Sequence, residues 1–555
     1  MSSIISRGEQ MFPVLTEAQQ AVARTFASGR AHGFARGEII SAIGARNAPV
    51  WLVLDGSIHI VRRDGLGHEK PVTTLTAGQF TGEVSQLAGR ASIAEGAAGP
   101  HGCTAVPFDA AHLRALLIGS AEISEIVMRA FILRRANLIE DSASGSVLVG
   151  RADELHLRRI QGLLTRNGYP NTVLDADGDE GRALIDRLGV AEADLPLMVC
   201  PNGAILKRPS DLEAAICLGL TPELDPAVVY DVAIVGAGPA GLATAVYAAS
   251  EGLSVIIIDQ GAIGGQAGAS ARIENYLGFP TGISGHALAS RAYNQALKFG
   301  AELAVPMQVA RMVCPEGPGG HEPIRLELTS GEVLQTRAVV IASGARYRRP
   351  DIANLGEFEG TGISYWATPV EARLCAGETV ALVGAGNSAG QAVAFLASKA
   401  AKLHLLVRGK SLDASMSRYL IDRIAALPNV EVHLRTEITA LAGNAATGLQ
   451  GAVCRNRDTG DIRSFDLRHL FLFIGADPNA GWAGDCVETD ERGFVITGTG
   501  PMPLQTNQPG VFAIGDVRAG STKRVAAAVG EGAAVVSQIH RHLAALAKRP
   551  RDAAA

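Results

Sequence analysis

The chain has 555 residues, 47% of them hydrophobic and 19% charged, with 64 glycines and 5% aromatics. That length exceeds what one hydrophobic core supports and suggests about three or four domains. A formal net charge of −5 with acids and bases interspersed excludes a basic polyelectrolyte that binds nucleic acid or is drawn to an anionic membrane.

No unbroken apolar run of about 20 residues and no basic-then-apolar leader stands out, so no membrane span and a cytoplasmic location are expected. Cysteines at 103, 200, 217, 314, 375, 454 and 486 form no CxxC. Neither a zinc site nor a vicinal redox pair is expected; all seven read as small buried apolar residues, with no metal site.

From about residue 34 to 110, short β-type runs (Val50–Leu54, Ser57–Val61, Val72–Leu75) alternate with turns at Asp55-Gly56, Asp64-Gly65 and Gly67. This spacing predicts a β-roll. Apolar residues at Leu113, Leu116, Leu117, Ile123, Ile126, Val127 and Phe131 predict a helical stretch after it. The order resembles a cyclic-nucleotide-binding domain, and Phe80 to Leu87 resembles that family's phosphate cassette. The family then places an Arg where Ser92 stands here, with Arg90 two residues early. A phosphate without a bidentate cation loses its strongest contact. A nucleotide-free interaction domain over 1–143 is therefore favoured over a cyclic-nucleotide sensor.

After the polar linker Asp141–Ser146 comes a β/α pattern: strand Val147–Val149, helix Glu154–Arg166, strand Thr172–Leu174, helix Glu180–Leu188. Leu195–Cys200 then leads through a Pro201-Asn202-Gly203 turn to Ala204–Leu206. Residues 147–222 resemble a thioredoxin/glutaredoxin-like domain with Pro196 as its cis-proline. Gly150-Arg151-Ala152-Asp153 occupies the place of that family's CxxC, so docking or packing, and not redox catalysis, is expected of it.

Tyr230-Asp-Val-Ala-Ile-Val runs into Gly236-Ala-Gly238-Pro-Ala-Gly241, a helix follows over Leu242–Ser250, and a second strand, Ser254–Ile258, ends at Asp259. Gly236 allows the tight turn, Gly238 the approach of a pyrophosphate, and Gly241 close helix–strand packing; Asp259 accepts from ribose hydroxyls. A second copy, Thr379 to Val383 followed by Gly384-Ala-Gly386-Asn387-Ser388-Ala389, has its helix from Gly390. Its second strand, Lys402–Val407, ends at Arg408, with Lys410 beyond. Positive charge at that strand end favours a 2′-phosphate, hence NADPH over NADH; a solvated basic turn is the alternative.

These two units, with Gly264-Gly265-Gln266, Asn275, Ile341–Ala345, Phe473–Asn479, Gly515-Asp516 and Lys523–Ala526, resemble the low-molecular-weight thioredoxin reductases of the FAD/NAD(P)-linked disulfide reductase class. The resemblance implies a multidomain protein. Its FAD domain is discontinuous (228–345 and 471–548), with an NAD(P) domain (346–470) inserted, both α/β and Rossmann-like. It implies FAD along 259–266, Asn275 and 516–526, with Asp516 at the ribityl or pyrophosphate region and Val525 and Ala526 near the isoalloxazine. NADPH would lie on Gly384–Ala389 and Arg408. A homodimer that rotates its domains is implied as well.

The family's CxxC is replaced by Trp366-Ala367-Thr368-Pro369. Indole and proline cannot relay electrons as thiolates do. The reading is a flavoprotein oxidoreductase passing electrons from NAD(P)H through FAD to a small molecule or small redox protein. The alternatives are a flavin-based redox sensor and a disulfide reductase borrowing a thiol such as Cys375. Trp366 either stacks on the flavin and gates it or packs between the domains.

Overall fold

A computed structural model describes residues 7–548 apart from 64–68, 93, 141–144, 152–153, 168, 170, 201–202, 219, 223, 271, 316–321, 353, 360–361, 368 and 445–447. The 64–67 turn, most of the 141–146 linker, Ala152, Asp153, Pro201, Asn202, Thr368 and the tail after Lys548 thus lie outside the described residues.

The N-terminal unit is a five-stranded antiparallel sheet in which Val50–Arg63 pairs with Glu69–Thr76 on one side and Glu95–Phe108 on the other. Where the sequence pattern predicts two strands either side of Asp55-Gly56, one 14-residue strand runs through. The glycine makes a bulge instead of a turn: its φ is +74°, and a Cβ there would lie 2.3 Å from the Gly102 carbonyl oxygen. Two helices, Ala110–Gly119 and Ala121–Glu140, close the sheet over Leu52, Phe80, Leu113 and Phe131.

The next sheet has the order Asn171–Asp175, Ser146–Gly150, Leu197–Val199, Ile205–Lys207, its first pair parallel and the rest antiparallel. Helices Leu155–Arg166, Asp179–Leu188 and Asp211–Cys217 accompany it. The Leu195–Pro196 peptide is cis, as the resemblance to a thioredoxin/glutaredoxin-like domain implies.

The first glycine-rich unit is built on parallel strands Val229–Val235, Val255–Ile258 and Glu302–Ala304, extended by Val333–Ile341. Val511–Ala513, from the far end of the chain, adds alongside Val333–Ile341. The strands read as continuous apolar runs because both faces are covered.

The second unit holds five parallel strands in the order Ile363–Ser364, His469–Leu472, Thr379–Val383, Lys402–Val407, Val430–Leu434. His469–Leu472 belongs to this sheet, so the return to the first unit falls a few residues later than 470. It lies at the two-stranded hinge Ala345–Tyr347/Ala476–Pro478, where Arg348 Nε donates to Asp477 at 2.9 Å. Among the described residues no helix is long and apolar enough to cross a membrane.

Candidate functional site

A strand that ends in a glycine turn leaves backbone N–H groups free at the start of the next helix, and such ends attract anions. The helix after the first turn is Pro239–Ser250, three residues longer than the pattern indicates, with Gly238 as its N-cap and proline at its first position. A Cβ on Gly236 would lie 2.2 Å from the Ala342 carbonyl oxygen, and one on Gly241 1.9 Å from that of Gly236. Gly238 instead faces open space. Two glycines thus seal the strand–helix corner and the third leaves a cradle that a dinucleotide pyrophosphate fits.

Asp259 organises the same corner. Its carboxylate accepts from the backbone N–H groups of Ala237 and Gly261, both at 2.8 Å, and of Ala262 at 3.2 Å.

A cleft of about 2630 Å³ runs from this corner, well above the roughly 300–1,000 Å³ of an ordinary small-molecule site. It is lined by Gly236, Gly238, Asp259, Gly265, Gln266, Asn275, Asp516, Val525 and Ala526, together with Trp366 and Asn387. Gly241, Gly384, Gly386 and Ala389 are outside this lining, Gly384 and Gly386 partly exposed. Arg408 and Lys410 are exposed and outside the lining.

In the second unit the helix begins at Asn387 and not at Gly390, because Gly386 already has the extended backbone of an N-cap. The Asn387 side chain accepts from Ser417 N at 2.7 Å. Arg408, with Arg455 and Arg457, holds the Glu437 carboxyl below its ordinary range, the largest cause being the Arg455 hydrogen bond at 2.7 Å. Three guanidiniums around one carboxylate leave net positive charge beside Arg408. Arg418 is paired with Asp413 and Asp422.

The far end of the cleft joins residues from three segments. Helix Val525–Lys548 starts there. Burial raises the Asp516 carboxyl above its ordinary range, Lys523 opposing the shift. Tyr347, on the hinge, is pushed up to about 12 by burial and by Asp516. Its ring lies 6.0 Å from Tyr365, stacked, and 6.5 Å from the Trp366 ring. Trp366 Nε1 donates to Glu371 at 3.0 Å. The sequence reading missed Tyr347 and Glu371, which no local motif marks. It also missed Arg158 and Arg159, which line the cleft from helix Leu155–Arg166.

The cysteines depart from the expectation that all seven stand alone. Cys200 and Cys217, 17 residues apart, form a disulfide, because the end of strand Leu197–Val199 meets the last turn of helix Asp211–Cys217. Cys314 and Cys486 are partly exposed, and burial followed by a hydrogen bond with Cys486 pushes the Cys314 thiol up. Cys375 is fully buried, and burial, then Glu371 and Glu378, pushes its thiol up to about 12. Among the described residues, His404, Glu431 and His433 converge on one face of the second unit's sheet.

Residues 230–532, more than half of the chain, match the family described as pyridine nucleotide-disulphide oxidoreductase. The chain belongs to this family. Within it the matched stretch is similar to thioredoxin reductases at about 30% identity. It is 32% identical over 321 residues to NADPH-dependent thioredoxin reductase 3 of Arabidopsis thaliana, covering 57% of this chain and 59% of that protein. To the bifunctional thioredoxin reductase/thioredoxin of Mycobacterium leprae it is 31% identical over 317 residues, with 57% of this chain and 66% of the relative covered. The chain thus spans 59% and 66% of the lengths of these two relatives. A thioredoxin reductase of Ureaplasma parvum is 31% identical and covered over 94% of its length, with 55% of this chain. The solved Lactococcus lactis thioredoxin reductase (FR conformation) superposes with a TM-score of 0.53 at 26% identity, over 57% of this chain and 99% of that one.

Proposed function

We propose that the protein transfers hydride from NADPH to FAD and passes electrons to an acceptor without a dithiol relay. The supporting observation is the shared cleft: residues of both glycine-rich units line it, and so does Trp366, at the place of the family's CxxC. When bound, the two cofactors supply the hydride and electron chemistry.

The chain holds and orients them. Gly236, Gly238, Gly241, Asp259, Gly265, Gln266 and Asn275 would hold FAD, with Asp516, Val525 and Ala526 at its ring end. Gly384, Gly386, Asn387 and Ala389 would hold the nicotinamide nucleotide. Arg408 and Lys410 favour NADPH, with NADH as the weaker donor. The positive end of helix Val525–Lys548 at the cleft favours electron-rich groups there. Buried Cys375 is a poor substitute relay. The aromatic wall of Tyr347, Tyr365 and Trp366 suits a planar small-molecule acceptor of the quinone class, ahead of a small redox protein.

Anaerobic titration of the purified protein with NADPH and NADH separately, then turnover with quinone, disulfide and ferredoxin-type acceptors, tests this. Bleaching by NADPH with quinone turnover and no thioredoxin reduction is expected. Colourless protein that takes up no added FAD sinks the reading. In Trp366→Ala, flavin fluorescence rises if the indole stacks on the ring; unchanged emission and turnover assign it to packing.

A second reading, a flavin-based sensor, is favoured by the N-terminal units' contacts with the first glycine-rich unit. Arg90 donates to the Leu303 carbonyl at 3.2 Å and lies 5.7 Å from the Tyr293 ring centre, and Asn167 donates to Gly261 at 3.2 Å. The cyclic-nucleotide-binding-like and thioredoxin-like units would then act as docking domains of a cytoplasmic homodimer. Stoichiometric flavin reduction without turnover would favour it.

A further inference from the structure

Strands Lys402–Val407 and Val430–Leu434 run parallel with His404 opposite Glu431 and Leu406 opposite His433. Side chains two apart on a strand share a face, so this register places His404, Glu431 and His433 together. His404 Nδ1 lies 2.9 Å from His433 Nε2. The Glu431 oxygens lie 3.7 Å from each of those nitrogens. Phe465 packs over both rings, at 4.7 and 5.1 Å between centres. His404 is buried and Glu431 is exposed, so the group has a closed floor and an open side.

Two ring nitrogens at this distance cannot both present lone pairs, so one hydrogen lies between them. A divalent cation can take its place. With metal–nitrogen bonds of about 2.0–2.1 Å in tetrahedral geometry, the two nitrogens need to stand roughly 3.3–3.4 Å apart. The rings would open by about half an ångström and the carboxylate would close in by a similar amount. Lys402, 2.9 Å from Glu431, competes for the carboxylate, but its half-exposed side chain has room to swing into solvent.

We propose that His404, Glu431 and His433 form a two-histidine, one-carboxylate site for a divalent transition-metal ion of the zinc class, with a fourth position open to water. None of the three lines the cofactor cleft, so the site is separate from the flavin chemistry. It joins the two strands just before Arg408 and Arg435, where Arg435 N donates to the Gly409 carbonyl at 3.1 Å. A bound ion therefore braces the turn that carries Arg408.

The test is calorimetric titration of chelator-treated, full-length FAD-loaded protein with zinc, repeated with His433→Ala and Glu431→Gln. One zinc per chain is expected, weakened at least tenfold in His433→Ala and in Glu431→Gln, with flavin content and circular dichroism unchanged. Cobalt provides a second readout, since its visible absorption reports four-coordination and is lost with His433→Ala. Absence of one-to-one zinc binding in the wild type, or a loss below tenfold in either variant, overturns the proposal and marks the pair as an N–H···N hydrogen bond.

Discussion

Asp516 carries a carboxyl into a cleft that strips away part of its water, which raises its protonation point. Between the ordinary carboxylate range and that raised value, the folded chain binds more protons than the unfolded one. Stability from this group therefore falls as pH rises through that window and is recovered on acidification. Asp516→Asn removes the buried charge, so the FAD-free protein should melt higher and lose this pH dependence. If Asp516 holds FAD as proposed, the same change also replaces one of its two acceptor oxygens with an N–H donor and removes the charge that strengthens the bond to a flavin hydroxyl. A hydrogen bond to a charged group contributes about 1.5–3 kcal/mol, so FAD affinity should drop roughly 10- to 100-fold, read by fluorescence titration. At the other nucleotide, Arg408→Ala should raise the KM for NADPH about tenfold and leave that for NADH unchanged, with a gap that narrows in high salt. Equal effects on both nucleotides would assign Arg408 to the turn and not to the 2′-phosphate.

Helix Pro239–Ser250 packs against helix Val525–Lys548 with almost no space between backbones. A Cβ on Gly532 would lie 2.5 Å from the Ala240 carbonyl oxygen and 2.8 Å from Ala243 Cβ. Gly532→Ala must push the helices apart, and overpacking of this kind costs about 1–3 kcal/mol. Denaturant unfolding should show that loss together with weaker FAD retention, because the displaced helix bears both the Gly238 cap and the Gly241 contact. The glycine-rich corners were legible in the sequence because strand, turn and helix lie within about 30 residues and each glycine answers a local backbone demand. Element ends were less legible. The sequence places the second helix at Gly390, whereas the cap geometry at Gly386 starts it at Asn387, and Gly56 reads as a turn although it is a bulge inside a strand.

Across the molecule, the roll is seated on the first glycine-rich unit: Leu297 and Tyr293 of helix Gly285–Lys298 join its apolar core, and Lys298 donates to Ser124 at 2.8 Å. Arg90, just after the stretch that resembles a phosphate cassette, points its guanidinium at this junction. Arg90→Ala should loosen the seat without loss of flavin. Hydrogen exchange would then speed up in helix Gly285–Lys298 and in the adjoining roll, while strand Val229–Val235 stays protected. Unchanged exchange in that helix would show that apolar packing alone holds the units together. The glycine-rich units are also joined by an ion pair, Arg423 to Glu274 at 2.8 Å, whose exposure limits it to about 1 kcal/mol.

By itself the sequence determined the two dinucleotide corners, the loss of the CxxC at Trp366 and Pro369, and the order of the units along the chain. Each depends on residues close together in sequence, where backbone geometry restricts the choice of residue. Only the tertiary structure decided that Cys200 meets Cys217, that His404 faces His433, that Tyr347 looks onto Asp516, and that Arg90 docks. Those pairs are separated by 17 to 213 residues, and strand register, helix placement and the hinge bring them together, none of which a short window of sequence specifies.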